Sequence, residues 1–176
     1  MPERAAASSS FSTPGASPDG SRAFLRHTVA TLAYRAAKAI RHAPPTYAEV
    51  RAAPTSRSAR EILSHMADLL DWALSQARGE ERFETTTLRS WTDEVDRFVV
   101  AMRAFDQFLA SEAPLARTPE VLFQGAIADA LTHAGQLALL RRLADAPLRG
   151  ENFALAEIVP GRTSLEQAAP RAEFGR

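Results

Sequence analysis

The chain has no cysteine. That excludes disulfides, thiolate metal ligands and a cysteine nucleophile, and it fits a cytoplasmic protein. Neither sign of charge is in excess: 21 Lys and Arg balance 21 Asp and Glu, for a formal net charge of zero. A nucleic-acid binder normally carries a basic excess or a basic face. An electrostatic membrane anchor needs one as well. Neither partner is therefore expected. No apolar run approaches the roughly 20 residues that span a bilayer. Residues 1–20 also lack the apolar stretch of a secretory signal. β-Branched alternation is nowhere sustained, so the chain reads as helical.

What is present is 176 residues, 45% of them apolar, with abundant alanine. That suits one domain with a real core. Residues 1–20, rich in Ala, Ser, Pro and Gly, cannot bury enough apolar surface to offset their ordering entropy, and they are expected to form a disordered tail. Residues 21–162 read as one helical domain. Residues 163–176 read as a flexible C-terminal tail.

Four helical stretches stand out. Leu25, Val29, Leu32, Ala36 and Ile40 form one stripe at three-to-four spacing and predict a helix from Ser21 to about His42. Pro44 and Pro45 break it, with a short turn expected near Tyr47. The second helix opens on a capping box, Ser58 and Glu61, and carries Ile62, His65, Met66, Leu69, Trp72 and Ala73 to an end at Arg78 and Gly79. The third follows Ser90 with Val95, Phe98, Met102, Phe105 and Leu109 on one side, and Pro114 stops it. The fourth starts at Thr118 and Pro119 and runs to about Asp145, roughly 40 Å of helix. Four such helices predict an all-α four-helix bundle. The stretch LRGENFALAEIVPGR is expected to pack across the bundle end through Phe153 and Ile158.

The hexapeptide EVLFQG at residues 120–125 matches a viral protease site used to remove expression tags. It lies inside the fourth helix and is followed by Ala126, not proline, so the match reads as coincidence. Arg141 and Arg142 read as solvated charge.

The chain has four histidines. His27 lies off the first stripe and His42 near the end of that helix, so both read as surface residues. His65 sits in the second stripe. His133 sits in the fourth, with Ala126, Ala130, Leu137 and Leu140. Asp129 lies four residues before His133, so both side chains leave the same helix face. An aspartate on the buried face of an alanine-rich helix is costly unless paired or metal-bound. Two imidazoles and a carboxylate suit Zn, Ni, Fe or Mn and leave coordination positions open. The plainer alternative stays open beside this one. A lone histidine on an apolar face is more often a satisfied core residue, and Asp129 can simply bond a histidine or pair with an arginine. Gln136, three residues after His133, can orient a ligand or serve only as a polar residue at a helix boundary. Asp68 and Asp71 read as surface charges, with Asp68 also able to support a ligand from behind. Trp72, two turns from His65, reads as core or pocket wall.

The segments AREILSHMADLLDWAL and FQGAIADALTHAGQLALLRRLADAP resemble the DinB/YfiT-like family of metal-binding four-helix bundles, over residues 22–160. That pattern has a histidine on the second helix and a histidine pair, four apart, near the middle of the fourth. His65 and His133 match it, the latter within an H-x-G-Q context. Asp129 stands where many members carry the earlier histidine of the pair. The resemblance implies a divalent ion held by His65, Asp129 and His133, and a metal-dependent transferase or hydrolase acting on a small-molecule substrate. It also implies a homodimer. Thiol S-transferases occur among such proteins. With no cysteine in the chain, that chemistry would need an external low-molecular-weight thiol. The alternative is a non-catalytic bundle stabilised by metal or associating with itself.

Overall fold

A computed structural model describes residues 18–174. Residues 1–17 of the expected tail lie outside the described residues. Pro18 to Gly20 form the first turn of α1 (Pro18–Ile40), which therefore starts earlier than the periodicity suggests. Proline is at home in a first turn, where its missing N–H has no helical partner anyway.

Helix α2 (Ala59–Arg78) has both halves of its capping box: the Ser58 hydroxyl accepts from Glu61 N, and Ser58 N donates to the Glu61 carboxylate at 2.7 Å. It ends at Gly79 in the left-handed region, φ 82°, a conformation glycine adopts without steric cost. Helix α3 (Trp91–Ala110) starts at its Ser90 cap. The fourth rod begins as α4 (Pro119–Leu122), widens into a π-helical turn (Phe123–Ile127) and continues as α5 (Ala128–Leu143). The expectation of one uninterrupted α-helix is corrected here. The wide turn keeps Leu122, Ala126 and Ile127 all fully buried. It also sets Gly125 so close to Trp72 that a Cβ there would lie 3.7 Å from the indole. The EVLFQG segment spans α4 and this turn, inside the rod.

Each of α1 and α2 packs on α3 and on α5, which places α1 and α2 at opposite corners of a four-helix bundle. The pairings give directions. Arg26 of α1 meets Asp106 of α3, and Arg22 reaches the carbonyls of Leu109 and Ser111, so these two helices are antiparallel. Arg97 lies against Ser64 and Arg78 over Phe108, so α2 and α3 are parallel. Parallel neighbours need a connection that returns along their whole length. Residues 80–90 supply it, running back beside α2 through Ser75 to Arg82, Asp68 to Thr86 and Arg60 to Arg89. This returning segment later forms a wall of the site.

The core is a single cluster in which the predicted stripes meet. Leu25, Val29, Leu32, Ala36 and Ile40 of α1 pack with Met66, Leu70, Phe98, Met102, Phe105 and Leu137. Tyr47, on a 3-10 turn (Pro45–Glu49), is fully buried and its hydroxyl donates to Leu137 O at 2.7 Å. Arg141 is not solvated. It is buried, and its guanidinium donates to the carbonyls of Ala39 and Arg41 at the end of α1 and to Ala146 O.

The chain after α5 lies along α1 rather than across the bundle end. Phe153 stacks under Arg35, 4.3 Å from its ring centroid, and meets Tyr34 edge-on. The carboxylate of Glu151 is buried and takes hydrogen bonds from Tyr34 and Lys38, both at 2.6 Å. Contacts continue past residue 162: Thr163 is buried, Glu173 pairs with Lys38 at 3.1 Å, and Phe174 N donates to Gly150 O at 2.8 Å. No strand forms among the described residues, and no helix of theirs is long and apolar enough to cross a membrane.

Candidate metal centre

The antiparallel contact of α2 with α5 brings His65 and His133 face to edge, with ring centroids 4.9 Å apart and planes at 83°. Asp129, one turn before His133 on α5, reaches both. Its two oxygens lie 3.7 Å from His65 Nε2 and 3.4 Å from His133 Nε2. One ligand atom from each of the three residues falls within 4.8 Å of the other two. A tetrahedral ion with bonds of about 2.0–2.1 Å spaces its ligands about 3.3–3.4 Å apart. With the three ligand atoms within 4.8 Å of one another, the group could hold a metal after modest closing of the side chains.

The three donors differ in exposure. The His133 side chain is 9% exposed, His65 20% and Asp129 48%. The idea that Asp129 sits on a buried face is thus corrected. It lies on the rim of the α5 stripe, one turn from His133 but turned toward solvent, so burial places no demand on it. What it contributes is position. A half-exposed carboxylate leaves one side of the donor set open to water and to small molecules.

Protonation is set by the neighbours. His133 Nδ1–H donates to Gln136 Oε1 at 2.8 Å. That bond orients the ring with its Nε2 toward Asp129. Gln136 thereby orients a donor from behind, as outer partners of metal-binding histidines do. Burial pushes the His65 pKa below its ordinary value, and the nearby charges of Arg57 and His133 push the same way, while Asp129 and Asp68 oppose them. A neutral imidazole is the form that binds a cation.

Asp68 is not the surface charge expected of it. It is buried, with its carboxylate held by Arg97 at 2.8 Å and reached by Thr86 N at 3.4 Å. It makes no hydrogen bond to His65 or His133 among the described residues. Arg97 also donates to Ser64 O and to Glu94, so this ion pair ties α2, the returning segment and α3 together. Asp71 is largely exposed, 3.7 Å from Arg97. Trp72 packs on Gly125 and meets Phe83 edge-on, as a wall residue would. His27 and His42 are exposed and take no part.

Two open hollows flank the histidines. One, of about 480 Å³, contains His65 and is walled by residues 51–57 and by Phe83 to Leu88. The other, of about 450 Å³, contains His133 and Gln136 and borders Leu139. A larger hollow of about 1110 Å³ lies at the opposite end of the bundle, where α3 stops, and is lined by none of the three donors. The walls at residues 51–57 and 83–88 carry no helical period, so a stripe reading passes over them. Only the parallel course of α2 and α3 brings the second wall to the site.

Comparison of the chain with protein-family models, with curated proteins and with solved structures finds no match in any of the three.

Proposed function

We propose that this chain is a divalent-metal-dependent enzyme of the DinB/YfiT-like kind, with His65, Asp129 and His133 as its metal ligands and a small molecule as its substrate. The observation that carries the reading is the convergence of three donors from two helices, one of them a half-exposed carboxylate. A structural metal is normally closed off by four protein ligands, whereas a catalytic one keeps an open position. Zn, Ni, Fe or Mn all suit two imidazoles and a carboxylate. Held there, a divalent ion would lower the pKa of a water or a thiol enough to give a nucleophile at neutral pH. The chain's own residues would orient and admit: Gln136 holds the His133 tautomer, and the cleft beside His65 receives the substrate. Hydrolase and S-transferase chemistry both fit. The second needs an external low-molecular-weight thiol, since the chain supplies none. A homodimer belongs to the same proposal, and exposed Leu139 and Leu143 on α5 offer it a surface.

A second reading, a bundle merely stapled by metal, draws support from the fact that the donors join α2 to α5. Metal content of untagged protein tests both. Near-stoichiometric metal in the wild type, lost in His133→Ala and in Asp129→Ala, supports the site. No metal after supplying Zn, Ni, Fe and Mn in turn would overturn it. Chelation that collapses the melting temperature favours the staple. Chelation that leaves the fold standing favours the enzyme.

A further inference from the structure

The charged side chains that line the His65 hollow are paired, with one exception. Arg51 pairs with Glu61 at 2.8 Å, and Glu61 also caps α2. Asp68 pairs with Arg97. Arg60, just outside, pairs with Glu49 at 2.6 Å. The two carboxylates that line this hollow are thus each matched by an arginine. Arg57 is left over. It is exposed, and it has no hydrogen bond or ion pair among the described residues.

Its position is fixed although its guanidinium is free. The residue before it, Ser56, is held through its carbonyl by Arg51 at 2.8 Å. The residue after it, Ser58, is buried and locked into the α2 cap. Arg57 lines both hollows, the one with His65 and the one with His133. Its charge is close enough to be felt at the His65 ring. Across the first hollow, Phe83 and Leu88 turn partly exposed apolar side chains, 49% and 38% accessible, toward the same space. A free planar guanidinium, which offers paired N–H donors suited to carboxylate and phosphate oxygens, therefore shares one hollow with an apolar wall and His65.

We propose that Arg57 anchors the oxyanion group, carboxylate or phosphate, of a small amphiphilic substrate whose apolar body rests on Phe83 and Leu88 beside His65. The substrate class of the metal centre follows from this, and to that extent the inference rests on the function proposed above. Anion binding itself does not need the metal.

Titration calorimetry on the full chain separates the two. The probes are benzoate and phenyl phosphate, with neutral benzyl alcohol as control. Each is titrated into wild type and Arg57→Gln, zinc-loaded and metal-free. Arg57 is exposed, so the variant should fold, and its melting curve checks that. The expected result is that Arg57→Gln weakens binding of at least one oxyanion about tenfold or more, the scale of one charge-assisted contact. Benzyl alcohol and zinc affinities should not weaken. Arg57→Lys should recover only part of the loss, because it keeps the charge without the fork. The tighter of the two probes identifies the oxyanion. Equal oxyanion affinities in wild type and Arg57→Gln overturn the inference, as does the absence of oxyanion binding to wild type. Arg57-dependent binding in a protein that takes no zinc leaves the inference standing and removes the metal reading.

Discussion

At the scale of single residues, the site rests on how three side chains are aimed rather than on how deeply they lie. Gln136 shows this best. It is exposed, yet its amide oxygen takes the Nδ1 proton of His133 and so decides which ring nitrogen faces Asp129. Gln136→Ala should weaken metal binding by about 10–100-fold, the usual effect of losing such a partner. It should change the stability of the metal-free protein by no more than about 0.5 kcal/mol, as is usual for surface positions. Competition against a chelating dye reads the first, and urea unfolding the second. An unchanged metal affinity would mean that His133 keeps its orientation from packing alone. Much at this scale was legible in the sequence. His65, Asp129 and His133 stand at helical spacings that need only one helix pairing to bring them together. The exposure of Asp129 was not legible, because a four-residue spacing fixes the helix face but not whether a residue lies at its centre or its rim. Arg57 was out of reach too, since nothing about an arginine before an N-cap says which cavity it will border.

At the scale of elements, the caps and stripes specify each helix locally, so Ser58 with Glu61, Ser90, and Thr118 with Pro119 mark three starts in the sequence as they do in the structure. The π-helical turn left no such mark. One extra residue in a turn changes no composition, and the turn lies where Ile127 is buried and Gly125 faces Trp72. The next glycine of the rod, Gly135, has a different standing. It is exposed in mid-α5, and a Cβ there would meet nothing within 4 Å. Gly135→Ala should therefore stabilise the isolated chain by about 0.5–1 kcal/mol through the restricted unfolded state. Thermal melts check the gain. Should the same substitution also shift a dimer toward monomer in light scattering, α5 would be placed at the contact between copies.

For the whole molecule, α1 is held from outside by the chain that follows α5. Residues 163–174 reach α1 through Glu173 to Lys38, and join the segment after α5 through two backbone bonds, Asn152 N to Ala172 O and Phe174 N to Gly150 O. Sequence reading placed the domain limit at 162, since this stretch has neither period nor long apolar runs. Its contacts, polar links together with Leu165 packed on the core, are visible only once the helices are in place. Removing residues 163–176 should lower the melting temperature by about 2–8 °C, the equivalent of 1–2 kcal/mol in a chain of this size. Metal content should stay unchanged, because none of the three donors touches the segment. Loss of metal on truncation would show that the strap also sets the spacing of α2 and α5.

The two parallel helices have a consequence of another kind. Because α2 and α3 point the same way, the chain must travel back between them, and residues 80–90 do so without carrying any of the three donors. The three residues able to hold an ion thus sit on two helices, while a separate length of chain frames the opening next to His65. Exchanging Phe83 and Leu88 for larger, smaller or more polar side chains should therefore leave the three donors in place. On the function proposed here, the choice of guest and the power to act on it would be written in different stretches of the chain, so that each could be altered alone.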